Sequence, residues 1–166
     1  MQAVTNLPDL AWSLKHFSDL LGRRCTGVFP TQKLKSGPAD VFYGAWYELD
    51  DHRIVGTMAV DMNLAAIFGT ALAMVPGAQA QAMAKAGALD PMATDCLFEC
   101  LNVSSRFFHR AFERPVTIVK TVRSTVKGAD AYPEAARTLL ARPGQRMDIA
   151  LTVDGYGTGM IAIACT

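Results

Sequence analysis

The chain has 166 residues, 51% hydrophobic and 19% charged, enough to bury one substantial core and too apolar to be disordered. A net charge of +1, with no basic tract longer than Arg23-Arg24, argues against nucleic acid as the main partner, because phosphate binding needs clustered Lys and Arg. No apolar run reaches the roughly 18–20 residues that span a bilayer; the longest, 64–75, is interrupted by Gly69 and Thr70.

The N-terminal stretch lacks the basic-then-apolar order of a signal peptide, so a cytoplasmic protein with reduced thiols is expected. Cys25, Cys96, Cys100 and Cys165 form no C-x-x-C pair, and small core side chains are expected rather than a zinc site. No metal or cofactor of its own is expected.

Pro8 and Asp9 open a helix over 9–21, with Leu10, Leu14, Phe17 and Leu21 at helical spacing and Gly22 as the stop. Residues 25–29 read as a short strand. A polar, turn-rich connection leads to an aromatic strand over 40–49, a turn at Asp50-Asp51, and a strand over 52–61, together an antiparallel hairpin. Part of the aromatic cluster Phe42, Tyr43, Trp46 and Tyr47 is expected in the core, and the remainder could form an edge for self-association.

A helix over 63–75 follows, capped by Asp61 or Asn63. The alanine-rich 76–88 is partly helical. A long helix over 90–113 has Asp90 as cap and Pro91 at its first position, where the missing N–H costs nothing. The β-branched 115–126 is a strand, 132–144 a short helix ended by Pro143-Gly144, and 145–165 a hairpin turning at "DGYG". The order predicts an α+β fold in one domain over 1–166: an antiparallel sheet built from two hairpins plus additional strands, covered by two long helices.

At about 100° per residue, Asp95, Glu99, Asn102 and Arg106 of the long helix fall within about 60° of arc. Leu97, Leu101, Ser104, Phe108 and Ala111 gather opposite, so the helix is amphipathic with a narrow polar stripe, flanked by Phe98, Val103 and Phe107. An apolar rim around a narrow polar stripe suits a protein contact better than a freely solvated face. His109 lies near the stripe as a surface histidine. The glycines of "DGYGTG" lack the Lys or Ser of a phosphate-binding loop.

The pattern D-x-x-x-E-x-x-N on a long helix, preceded by a hairpin and "VDMNLAAIFGTAL", resembles the CheC/CheX/FliY phosphatases of bacterial chemotaxis. The resemblance extends over about 25 to 165 as an order of elements. There is one copy of the motif, since the preceding helix has no Glu, so the match is closest to single-site CheX-like members.

The resemblance implies hydrolysis of the aspartyl-phosphate of a CheY-like response regulator whose own site supplies Mg²⁺ and a Lys, and a homodimer formed through the sheets. A carboxamide suits the remaining task of holding a water in line with the phosphorus, being both donor and acceptor and neutral beside an anion. Asn102 is the candidate for it. Glu99 is implied to pair with the regulator's Lys and set the docking register. Asp95 and Arg106 are candidate partner contacts.

The family's Gly one turn after the Asn is absent, with Arg106 near its place, and Pro115 and Pro133 both miss the family's downstream Pro. These departures favour the competing reading, a catalytically inactive CheX-like binding module acting on a chemotaxis or flagellar-switch partner. A ligand-sensing domain is a third.

Overall fold

The computed structural model describes residues 7–142 and 145–166. The first helix, α1 (Leu10–Leu21), starts at Asp9, whose side chain accepts the Trp12 N–H at 2.8 Å, and ends at Gly22 in the left-handed region, φ 61°. The chain then enters β1 (Cys25–Val28) and, after a connection, the hairpin of β2 (Tyr43–Glu48) and β3 (Ile54–Val60). Asp61, not Asn63, caps α2 (Met62–Ala71), accepting the Leu64 N–H at 2.8 Å. Three more helices follow: α3 (Gly77–Ala86), α4 (Pro91–Val103) and α5 (Arg106–Phe112). Then come β4 (Thr117–Arg123), α6 (Glu134–Ala141), and the hairpin of β5 (Arg146–Val153) and β6 (Gly157–Cys165).

The strands form one antiparallel sheet in the order β1-β5-β6-β3-β2-β4. The two predicted hairpins are its centre, joined through β6 and β3, and β1 and β4 are its edges. Alternation along each strand divides the apolar residues between two cores. On one face Tyr47, Met58, Ile149, Ile161 and Ile163 pack with Phe17 of α1, Leu64 and Phe68 of α2, and Leu97 and Leu101 of α4. On the other, Phe42, Trp46, Ala59, Ala162 and Ala164 pack beneath Tyr132, Ala136 and Leu139 of the α6 layer. The second core fits small residues to a close aromatic: a Cβ at Gly44 would lie 2.5 Å from Cε2 of Tyr132.

Three sequence expectations change in detail. The helix predicted over 63–75 ends at Ala71, and Met74 then takes a positive φ of 58°. All four residues of the aromatic cluster are buried, because β2 lies between β3 and β4 and offers no edge. The helix predicted over 90–113 is two helices, broken at Ser104 and Ser105. Pro143 and Gly144, expected to end the helix now seen as α6, lie outside the described residues.

Candidate functional site

The site is on α4. Asp90 caps it, accepting the Ala93 N–H at 2.8 Å, with Pro91 in the first turn. Ala93, Leu97, Cys100 and Leu101 form its buried side. α2 crosses it closely at Gly69, where a Cβ would stand 2.6 Å from the Ala93 carbonyl oxygen, and the Cys100 thiol lies 3.7 Å from the Phe68 carbonyl. With that side held, Asp95 and Glu99 are exposed on the opposite surface and Asn102 is half-exposed at the last turn. Met92 and Phe98, 46% and 37% exposed, stand beside the stripe on the same helix.

The final carbonyls of a helix have no partner within it, and here those of Cys100, Leu101 and Asn102 are each held. The Cys100 carbonyl accepts the Ser104 N–H at 3.1 Å and the Ser104 hydroxyl at 2.7 Å. The Leu101 carbonyl accepts the Tyr47 hydroxyl at 2.6 Å, a bond rising from the sheet. The Asn102 carbonyl accepts the Ser105 N–H at 3.1 Å. Burial pushes the Tyr47 phenol well above its ordinary pKa, so it stays a neutral donor. The backbone carrying Asn102 is thus tied to β2 and to the turn that follows.

That turn separates Arg106 from the stripe. The bonds from Phe107 to Ser104 and from Phe108 to Ser105, at 3.0 and 2.9 Å, are of the tighter three-residue type. Arg106 therefore opens α5 instead of continuing the α4 surface one turn on. It is exposed. Phe107, expected to flank the stripe, is fully buried against α1, while Phe108 is fully buried against Tyr47, ring centroids 4.7 Å apart. The break lets two consecutive aromatic rings enter the core in different directions. His109 is exposed, with Nε2 3.1 Å from the Val116 carbonyl.

The body of α2 offers no comparable surface. Leu64 through Ala71 of α2 are all buried, beneath α3 and α4. The cysteines are free. Burial raises the Cys96 thiol pKa, with Asp95 and Asp90 adding to it, and burial raises that of Cys100 further. Among the described residues no cluster of three His, Cys, Asp or Glu side chains is placed to hold a metal ion.

Sequence reasoning places Asp95, Glu99 and Asn102 together and misses their supports, Tyr47 and Ser104. Nothing in the local pattern marks them, since Tyr47 meets its acceptor across 54 residues of chain.

Comparison by sequence matches no family model and no curated protein. Solved structures match over nearly the whole chain. FliY of Thermotoga maritima aligns with 98% of this chain and 86% of its own, at TM-score 0.56 and 12% identity. A chain of the FliG–FliM complex of H. pylori aligns with 98% and 88%, at 0.55 and 12%. CheX of Vibrio vulnificus aligns with 93% and 91%, at 0.50 and 14%. The fold is α+β of the class to which FliY and CheX belong. The chain has the CheC/CheX/FliY fold, with a single acid-and-amide stripe on α4.

Proposed function

We propose that the chain is a phosphatase for the aspartyl-phosphate of a CheY-like response regulator. The observation that carries this reading is the stripe itself: a carboxylate and a carboxamide one turn apart, Glu99 exposed and Asn102 half-exposed, on a helix whose opposite side is locked. A phosphorylated aspartate is a mixed anhydride, already activated. Docking α4 across the regulator's phosphorylation site would leave one task, holding a water in line with the phosphorus.

Asn102 does this as a neutral acceptor and donor. Glu99, whose charge would repel the phosphoryl oxygens, pairs instead with the regulator's active-site Lys. Asp95, one turn out, supports the docking register. Arg106, displaced onto α5, meets the partner's rim at most. The Mg²⁺ belongs to the regulator.

The test is regulator dephosphorylation with and without the protein. Faster phosphate loss that disappears in Asn102→Ala supports the reading; an unchanged rate in that variant removes Asn102 from it. The likeness to a chain of the FliG–FliM complex favours a second reading, a non-catalytic module for a flagellar-switch partner. A complex that forms without faster phosphate loss selects it. Self-association belongs to the proposal as well. Both edges expose apolar residues, Val28 and Phe29 at β1 and Val119 on β4, but β4 is bulged opposite Trp46 and Tyr47, so a second copy would pair along β1. Light scattering at twice 17.9 kDa, lost in Phe29→Lys, would support it.

A further inference from the structure

The break after α4 is fixed from far away in the sequence. Ser104 is fully buried and its hydroxyl donates to the Cys100 carbonyl at 2.7 Å. The same oxygen lies 3.0 Å from Nε2 of His16, which belongs to α1 and is 88 residues earlier. A hydroxyl has one proton, already committed to Cys100, so Nε2 must donate and His16 carries its proton there. The ring is clamped in place: Trp12 stacks on it at 5.4 Å and 6°, and Phe107 meets its plane edge-on at 5.1 Å.

Burial first, and then the positive charge of Arg106, lower the His16 pKa to about 4, so the ring is neutral near pH 7. A serine and a histidine at this distance suggest a nucleophile and its base. Full burial of the hydroxyl and its donation to a helix carbonyl exclude that use. What the pair does is hold the carbonyl of Cys100 and the turn that begins two residues after Asn102.

We infer that His16, acting through Ser104, is a positioning residue for Asn102, setting where the carboxamide points relative to Glu99. This rests on the proposed role of Asn102. The bond joins α1 to the single turn on which Asn102 sits, while Glu99 lies one turn deeper in the regular part of α4. Losing it therefore moves the amide and leaves the docking carboxylate in place. Water alignment tolerates little displacement, so the turnover step suffers and regulator binding does not.

The experiment compares wild type with Ser104→Ala, His16→Leu and His16→Gln by two readouts. One is the dephosphorylation rate across regulator concentrations; the other is the side-chain amide NMR resonance of Asn102. Ser104→Ala and His16→Leu are expected to lose about tenfold in the saturated rate, with KM changed by less than about twofold, and to shift the Asn102 resonance. His16→Gln, whose terminal amide can donate to the Ser104 hydroxyl, recovers most of both. A purely structural role would lower the melting temperature and leave the saturated rate and the resonance unmoved, and that result overturns the inference.

If Asn102→Ala proves as active as wild type, the role proposed for Asn102 fails instead. The resonance still decides the positional claim, because it needs no activity. Should His16→Leu not fold, Ser104→Ala, which removes one oxygen, carries the test.

Discussion

At the scale of single residues, the difference between Asn102 and Glu99 is one of charge. Both project from the same surface, yet only an uncharged group can approach a phosphoryl anion without repulsion. Asn102→Asp keeps shape and adds that charge, so it is expected to lower the saturated rate at least about a hundredfold, as is Asn102→Ala. Glu99→Gln keeps shape and removes the charge proposed to pair with a lysine, so it is expected to raise KM and spare the saturated rate. Steady-state dephosphorylation kinetics of the pair separate the two roles, and equal effects on KM would reject the division. His16 makes a prediction about stability. Its folded pKa of about 4 lies below the ordinary histidine value of 6.5, because burial and then Arg106 oppose the proton while exposed Asp19 favours it. Between those values the unfolded chain takes up a proton that the folded chain refuses. Stability from this group is complete above about pH 6.5 and falls as pH drops toward about 4. Urea midpoints measured through this window are expected to decline in wild type and to decline less in His16→Gln.

At the scale of elements, the helix starts were legible because their signals are local. Asp9, Asp61 and Asp90 each accept the N–H three residues on, and each precedes an apolar helical pattern. The hairpins were legible from β-branched and aromatic alternation, and the stripe from spacing alone, since α4 is regular from Pro91 to Val103. The break at Ser104 was not legible. Apolar periodicity continues through Phe107 and Phe108, and the groups that stop the helix, His16 and the Ser104 hydroxyl, meet only once the chain has folded. The supply of two cores was also hidden: 132–144 reads as helical, but only the sheet order places it on the face opposite α4. The α2–α4 crossing carries the prediction at this scale. A methyl at Gly69 would meet the Ala93 backbone, which cannot rotate away as a side chain would. Helix propensity favours Ala over Gly by about 1 kcal/mol, and overpacking costs about 1–3 kcal/mol, so the clash is expected to dominate. Gly69→Ala should lower the urea midpoint and, by shifting α4, raise KM for the regulator. An unchanged midpoint would mean that the helices part without cost.

At the scale of the whole molecule, the sheet is a wall between two cores with different work. The α4 face holds up the stripe, and the α6 layer covers the other face. Two tyrosines on opposite sides of it allow the same chemical change to be made in each. Tyr47 donates to the Leu101 carbonyl at the base of the site. Tyr132, whose hydroxyl pairs with that of Thr57, lies in the α6 layer above Gly44. Removing the Tyr132 hydroxyl leaves Thr57 still donating to the Ala45 carbonyl at 2.7 Å, so Tyr132→Phe should cost about 0.5–1.5 kcal/mol. Removing the Tyr47 hydroxyl leaves a buried helix carbonyl without that donor, and Tyr47→Phe should cost about 1–3 kcal/mol. Both losses are modest beside the stability of about 5–15 kcal/mol usual for a domain, so both variants should fold. Their effects on turnover should differ in kind: Tyr132→Phe keeps the saturated dephosphorylation rate, while Tyr47→Phe lowers it, because the carbonyl it releases belongs to the residue before Asn102. Urea denaturation and single-turnover dephosphorylation on the same preparations check this. Equal loss of rate in both variants would show that turnover follows overall stability and not the geometry of the α4 end.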